Sequence, residues 1–164
     1  MSKRVLLIED DKTVRENTEE LLMLSDYTVY TAKNGKEGVA VAKKELPDII
    51  VCDVMMPEMN GYDVLSNLSE DNATLEIPFI FLSAKTDHKD IRKGMDLGAD
   101  DYLTKPFEEE DLINAIESRI AKVQILKKIR EKDQSSIKQN LNIEHFKERL
   151  KTYPTRNFEA GDYI

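Results

Sequence analysis

The sequence predicts a doubly wound α/β domain, and three observations carry that prediction. Short apolar runs rich in Val and Ile alternate with longer segments of helical period, the runs are continuously apolar, and Gly, Pro and Asn-Gly fall at their boundaries. Strands apolar on every residue need helices on both faces of the sheet, and five such β/α repeats make one parallel sheet.

The first strand is expected at 4–8, and Val14, Thr18, Leu21 and Leu22 mark the apolar face of the helix after it. A second strand at 28–32 leads to Asn34-Gly35 and a helix carrying Val39, Ala42 and Leu46. Pro47 opens a third at 49–53, and Gly61 starts a helix with Val64, Leu65 and Leu68. Pro78 opens a fourth at 78–83, followed by a helix with Ile91, Met95 and Leu97 that Gly98 ends. The fifth strand is 101–104. Its helix begins near Phe107-Glu108-Glu109-Glu110-Asp111, where acids favour a helix N-terminus, and carries Leu112, Ile113, Ile116, Ile120 and Val123. The count fits the flavodoxin-like order 2-1-3-4-5, in which strands one, three, four and five end near one another and ligands sit at those carboxyl ends.

The last helix does not stop at Val123. Leu126, Ile129, Ile137 and Leu141 continue its stripe, with no Gly or Pro between Pro106 and Pro154, although Asp133 interrupts the heptad. Two readings stand side by side, a solvated helical spacer and a coiled coil that pairs two chains. The expected organisation is a domain over 1–122, a helical linker over 123–151 and a tail over 152–164.

At 164 residues, with 40% hydrophobic residues, the chain suits one ordinary domain plus an appendage. Residues 1–123 carry 15 Lys+Arg and 26 Asp+Glu, net −11, and residues 124–164 carry 9 and 6, net +3. The acidic first part is a poor match for nucleic acid, and the basic tail is the composition of an ordinary solvated helix face. No apolar run is long enough for a membrane span, and Met1-Ser2-Lys3-Arg4 leads straight into a strand with no secretory leader. The single cysteine, Cys52, lies within the third strand and reads as a small core residue; the expected location is cytoplasmic.

Chemistry concentrates at three strand tips. The first runs into Glu9-Asp10-Asp11, the third ends on the lone carboxylate Asp53, and the fifth runs into Lys105-Pro106-Phe107. Glu9, Asp10 and Asp53 are hard oxygen donors of the kind that suits Mg²⁺. Asp53 can accept a phosphoryl group, provided that the metal and a cation neutralise the arriving charge. Lys105 supplies the cation, and Pro106 fixes the turn that aims it. An ion pair at a water-exposed strand edge contributes little stability, so Lys105 is expected to matter for charge at Asp53 more than for the fold. Ser83, ending the fourth strand, offers a hydroxyl to a phosphoryl oxygen. Taken singly, each fragment has a plainer reading: Asp10-Asp11 can cap a helix, Lys105-Pro106 can be a turn and Tyr102 a strand aromatic. His88 and His145 lack metal-like spacing and are expected on the surface.

Together these fragments, Glu9-Asp10, Asp53-Val54-Met55-Met56-Pro57-Glu58-Met59-Asn60-Gly61, Ser83-Ala84 and Asp101-Tyr102-Leu103-Thr104-Lys105-Pro106-Phe107, resemble the receiver domain of two-component response regulators over about residues 3–122. The resemblance implies that Asp53 takes a phosphoryl group from a phosphohistidine on a sensor kinase or phosphotransfer protein. It implies Mg²⁺ held by Asp10, Asp53 and the backbone carbonyl of Met55, with Glu9 acting through metal-bound water. It implies a cis bond before Pro106. Ser83 and Tyr102 match the switch positions, Ser83 turning towards the phosphoryl group and Tyr102 moving inward behind it. Such a protein catalyses only its own phosphorylation and dephosphorylation, and so is not an enzyme in the ordinary sense. Glu9 and Ser83 stand where the family more often has Asp and Thr, and Met55 and Lys85 occupy positions that tune phosphoryl lifetime.

Two other classes are weighed. A haloacid-dehalogenase-type phosphatase also uses an Asp at a strand end, but wants a second Asp two residues on, where Met55 stands. A receiver-like interaction module that works without phosphorylation would lack Asp53, Lys105 or the acidic pair, and all are present. At the other end, Phe158-Glu159-Ala160-Gly161-Asp162-Tyr163-Ile164 looks like the opening strand of a cyclic-nucleotide-binding-like β-roll of catabolite-activator type, with a disordered tail as the rival reading. On the first, the expected output is transcriptional, with DNA reached only through a missing output domain.

Overall fold

Odd and even positions along the strands explain how the sheet is covered on both sides. The computed structural model describes residues 2–84 and 88–139, with side chains as far as residue 133. Its elements are β1 (Arg4–Ile8), α1 (Lys12–Leu24), β2 (Thr28–Ala32), α2 (Gly35–Glu45), β3 (Ile49–Asp53), α3 (Gly61–Ser69), β4 (Phe79–Ser83), α4 (His88–Asp96), β5 (Asp101–Thr104) and α5 (Glu109–Gln139). Because successive side chains in a strand point to opposite faces, Leu6, Ile8, Ile50, Cys52, Phe79 and Phe81 pack on one side with Ala42, Val64, Leu65 and Leu68. Val5, Leu7, Ile49, Val51, Ile80 and Leu82 pack on the other with Leu22, Leu112, Ile116 and Ile120. The strand order is β2-β1-β3-β4-β5, every pairing is parallel, and the fold is the flavodoxin-like one. Each fully buried Leu, Ile or Phe contributes roughly 1.5–3 kcal/mol by leaving water, so the three central strands β1, β3 and β4 carry most of the core.

The helices start where side-chain oxygens meet free N–H groups. Asp11, Asn34 and Asn60 each cap a helix by accepting from Val14, Glu37 and Asp63, and the Asp63 side chain accepts in return from the Asn60 N–H. Leu46 ends α2 in the left-handed region at φ 48° and stays partly exposed, so it belongs to the cap and not to the packed stripe. The stripe expected on α4 also differs. Met95 and Leu97 are 43% and 37% exposed, and the residue that α4 buries is Gly94. A Cβ there would stand 3.0 Å from Phe81 and 3.1 Å from Tyr102, so α4 approaches the sheet through a residue without a side chain. Cys52 is buried and its thiol is pushed up by that burial, which leaves it unreactive. His88 is the exposed first residue of α4.

The compact α/β unit covers Met1–Val123, and Gln124 begins a second unit, although α5 runs as one helix to Gln139. In that second unit Ile125, Leu126 and Ile129 are 57%, 47% and 53% exposed. Among the described residues, no helix is long and apolar enough to cross a membrane. Lys85, Leu141, His145 and the 152–164 tail lie outside the described residues.

Candidate functional site

All five strands run parallel, so their carboxyl ends share one edge. Glu9 follows β1 directly, and its N–H donates to Ala32 O at 3.0 Å, which extends the β1–β2 ladder by one residue and buries the Glu9 side chain. Asp10 lies beside it, exposed, and Asp11 turns away to cap α1. The two plain readings of Asp10-Asp11 are thus divided between neighbours: Asp11 is the cap and Asp10 faces the edge.

Asp53 ends β3 and is buried. The backbone leaving it is held closely: Val54 N–H donates to Leu82 O at 3.1 Å, and Gly61 N–H to Val54 O at 2.9 Å. A Cβ on Gly61 would stand 2.5 Å from Asp53 O, so only glycine allows α3 to begin there. One carboxylate oxygen from each of Glu9, Asp10 and Asp53 falls within 4.8 Å of the others. From β5 the Lys105 N–H donates to Ser83 O at 2.8 Å, and the Lys105–Pro106 bond is cis. The Lys105 ammonium reaches Glu9 Oε1 at 2.7 Å and Asp53 Oδ1 at 3.5 Å.

That ion pair is drier than its place at a strand edge suggests. Side-chain exposure is 23% for Lys105 and 2% for Glu9, and the nearer partner is Glu9, not Asp53. The expectation of a weak, water-exposed pair is corrected here, because the Glu9 extension of β1 takes the carboxylate below the surface. Its second oxygen, Oε2, accepts from the Asp11 N–H at 3.2 Å.

Burial raises the Asp53 carboxyl to about 7, and the negative charge of Glu9 adds to the rise while Lys105 opposes it. Asp10 is also raised, by burial and by Glu9. Burial acts to lower the Lys105 ammonium, but its bond to Glu9 and the charge of Asp53 outweigh that, and the net shift is upward. Three carboxylates thus face one ammonium. Such a cluster is short of positive charge, and its oxygen donors fit a hard divalent cation.

Ser83 is fully buried at the end of β4, one position beyond the Asp53↔Leu82 pair and opposite Thr104. The Met55 side chain is exposed, which leaves the backbone as what this residue can offer the site. Tyr102 is half-buried in β5, paired in register with Phe81, and sits outside the carboxylate cluster.

One positioning residue escaped the sequence reading. Arg15, in the first turn of α1, donates from Nη1 to Glu9 O at 2.8 Å and to Asp10 O at 3.4 Å, tying the acidic loop to α1. Its signal was present. A cation at a helix N-terminus opposes the helix dipole and asks for another reason to be there.

The arrangement defines a class, a parallel α/β domain with an acidic pocket and a lysine at the carboxyl edge of its sheet. Residues 5–117 match the family model of the response regulator receiver domain, and the chain belongs to that family. The transcriptional regulatory protein DltR of Streptococcus agalactiae is 41% identical over 116 residues, which are 71% of this chain and 51% of that protein. The chain therefore spans about half the length of such curated relatives. Among solved structures, the chemotaxis protein CheY4 of Vibrio cholerae superposes with TM-score 0.69 at 29% identity, covering 72% of this chain and 98% of that one. The receiver domain of the Francisella response regulator 1452 superposes with TM-score 0.70 at 30% identity, covering 74% and 99%.

Proposed function

We propose that this receiver is a phosphorylation-controlled switch whose acceptor is Asp53. The observation that carries the reading is the convergence of Glu9, Asp10, Asp53 and Lys105 at one sheet edge. A carboxylate oxygen of Asp53 attacks phosphorus, a P–O bond forms as the P–N bond of a phosphohistidine breaks, and the electron pair stays on the departing imidazole. A bound Mg²⁺ would neutralise charge on the phosphoryl oxygens and on the cluster. Asp10, Asp53 and the Met55 carbonyl are the residues that would hold it. Glu9, with both oxygens already engaged by Lys105 and the Asp11 N–H, suits an outer place reached through water.

Lys105 lies between Glu9 and Asp53, so its ammonium has only a short way to move towards negative charge arriving on Asp53. Ser83 would donate its hydroxyl to a phosphoryl oxygen, and Tyr102 would follow it inward. The donor is a sensor histidine kinase or phosphotransfer protein, and the name of DltR favours a transcriptional output in a longer polypeptide. Domain limits near 122 and a linker over 123–151 go with that reading. Incubation with acetyl phosphate and Mg²⁺, followed by mass mapping, is expected to place one phosphoryl group on Asp53 and none when Mg²⁺ is chelated. Label on another residue sinks the assignment.

Exposed Ile125, Leu126 and Ile129 support pairing of two chains through the extension of α5. Sedimentation of the 164-residue chain is expected to show a concentration-dependent dimer. A chain that stays monomeric at high concentration makes the extension a spacer.

A further inference from the structure

A cavity of about 370 Å³ opens beside the acidic cluster, where the loops after β1, β2 and β3 meet. Asp10 lines it and also belongs to the cluster, so the two share a wall. The other charged residues around it are Arg15, Lys33, Lys36 and Glu58. Residues 1–123 carry a net charge of −11, so three cations on one small cavity run against the composition of the domain.

The backbone shapes this cavity independently of the lysines. Gly35 packs so closely on the loop after β3 that a Cβ would stand 2.6 Å from Met59 O, which joins two of the walls. In that loop Glu58 is held at φ 68°, a left-handed conformation that costs a side chain energy, and the Met59 N–H donates to Pro57 O at 2.8 Å beside it. On the third wall Arg15 is fixed by the Glu9 and Asp10 carbonyls, which orient its guanidinium without cancelling the charge. Among the described residues, no carboxylate forms an ion pair with Arg15, Lys33 or Lys36. Glu37, the acid next to Lys36, accepts from the Lys33 backbone N–H at 2.8 Å. Lys105 reaches the cluster from β5, at the opposite edge of the sheet from β2 and its two lysines.

We propose that this cavity is a subsite for the anionic leaving end of a small acyl phosphate, with Lys33 and Lys36 as specificity-determining residues and Arg15 as its fixed cation. The inference rests on the reading of Asp53 as phosphoacceptor and gives the untransferred part of the donor a place. A volume of this order holds a small molecule. In the transfer an Asp53 oxygen bonds to phosphorus, the P–O bond to the acyl oxygen breaks, and the electron pair leaves on a free carboxylate. Negative charge therefore develops on the departing end, and fixed cations beside it stabilise that charge. A donor whose leaving group departs as a neutral molecule gains nothing from them.

The test compares two donors of the same phosphoryl group. Acetyl phosphate releases acetate, and phosphoramidate releases ammonia. The 164-residue chain and its Lys33→Gln, Lys36→Gln double variant are treated with each donor in Mg²⁺ at matched ionic strength, and labelling of Asp53 is followed by mass. The second-order rate constant with acetyl phosphate is expected to fall about fivefold in the double variant, the size of two partly screened charge contacts, and that with phosphoramidate to hold. Lys33→Arg with Lys36→Arg should keep the parent rate with acetyl phosphate. Lys43→Gln with Lys44→Gln makes the same charge change in the last turn of α2 and should alter neither rate. Equal losses with both donors, no loss with acetyl phosphate, or a matching loss from the Lys43 and Lys44 changes overturns the subsite. A parent chain that neither donor labels at Asp53 overturns the phosphoacceptor reading instead.

Discussion

Replacing Lys105 with alanine is expected to lower the melting temperature by roughly 5–10 °C in metal-free buffer at pH 8, the equivalent of about 2 kcal/mol. Removing one partner of a pair this dry leaves the other charge buried without compensation, and Glu9 is 2% exposed with Lys105 at 2.7 Å. The loss is smaller than the roughly 3–5 kcal/mol usual for a fully buried pair because the lysine still reaches water. The sign with pH follows from the groups involved. The Lys105 ammonium is raised in the folded chain, so its contribution is fully present below its unfolded value near 10.5 and is lost only as pH rises through the higher folded value. Between about pH 5 and 9 its own titration therefore changes nothing. The difference between parent and variant shrinks towards acid because the Asp53 carboxyl, the second group that Lys105 faces, is raised to about 7 and becomes neutral there. Thermal melts at pH 8 and pH 5 check both halves. Equal melting temperatures at pH 8 would mean that Glu9 finds another partner and that Lys105 serves only the arriving phosphoryl group.

The central strands β1, β3 and β4 were legible because burial on both faces leaves an apolar run, whereas the partly buried β2 and β5 were legible from their Val, Thr and Tyr content between turns; four of the five keep the expected bounds. Only Pro78 drops out of the fourth, since β4 starts at Phe79. The site was legible in outline for a related reason: in a parallel sheet, whatever follows each strand must arrive at one edge. Part of what escaped depends on contacts between residues far apart in the chain. Whether Lys105 leans to Glu9 or to Asp53 is decided by how far β1 extends past Ile8, and no local pattern encodes that. Arg15 acts over a short span, through the Glu9 and Asp10 carbonyls, which one residue presents as well as another, so a cation at a helix N-terminus was the local sign of it. The α4 stripe misled because apolar spacing marks one face of a helix and does not say that the sheet lies under it. Gly94 faces Phe81 and Tyr102 there, while Met95 and Leu97 face out.

Asp53→Asn is expected to stabilise the metal-free protein, by about 5–10 °C in melting temperature at pH 8 and by little at pH 4. In the folded chain the Asp53 carboxyl is raised from 3.8 to about 7, first by burial and then by Glu9. A carboxyl raised on folding favours the fold while it is protonated and loses that contribution as pH climbs through its folded value. Parent stability should therefore fall between about pH 4 and pH 8, and a neutral amide of the same shape should flatten that fall. Ionising the group at about 7 instead of 3.8 carries a penalty of at most roughly 4 kcal/mol, and shared titration with Asp10, which is also raised, spreads part of it over the cluster. Saturating Mg²⁺ tests the same charge from the other side. It should stabilise the parent more than the variant and close most of the gap, because the cation neutralises the repulsion that the substitution removes. An Asp53→Asn variant that melts with the parent at every pH would show that Lys105 already balances the cluster, and would leave no electrostatic reason for a divalent ion at this edge.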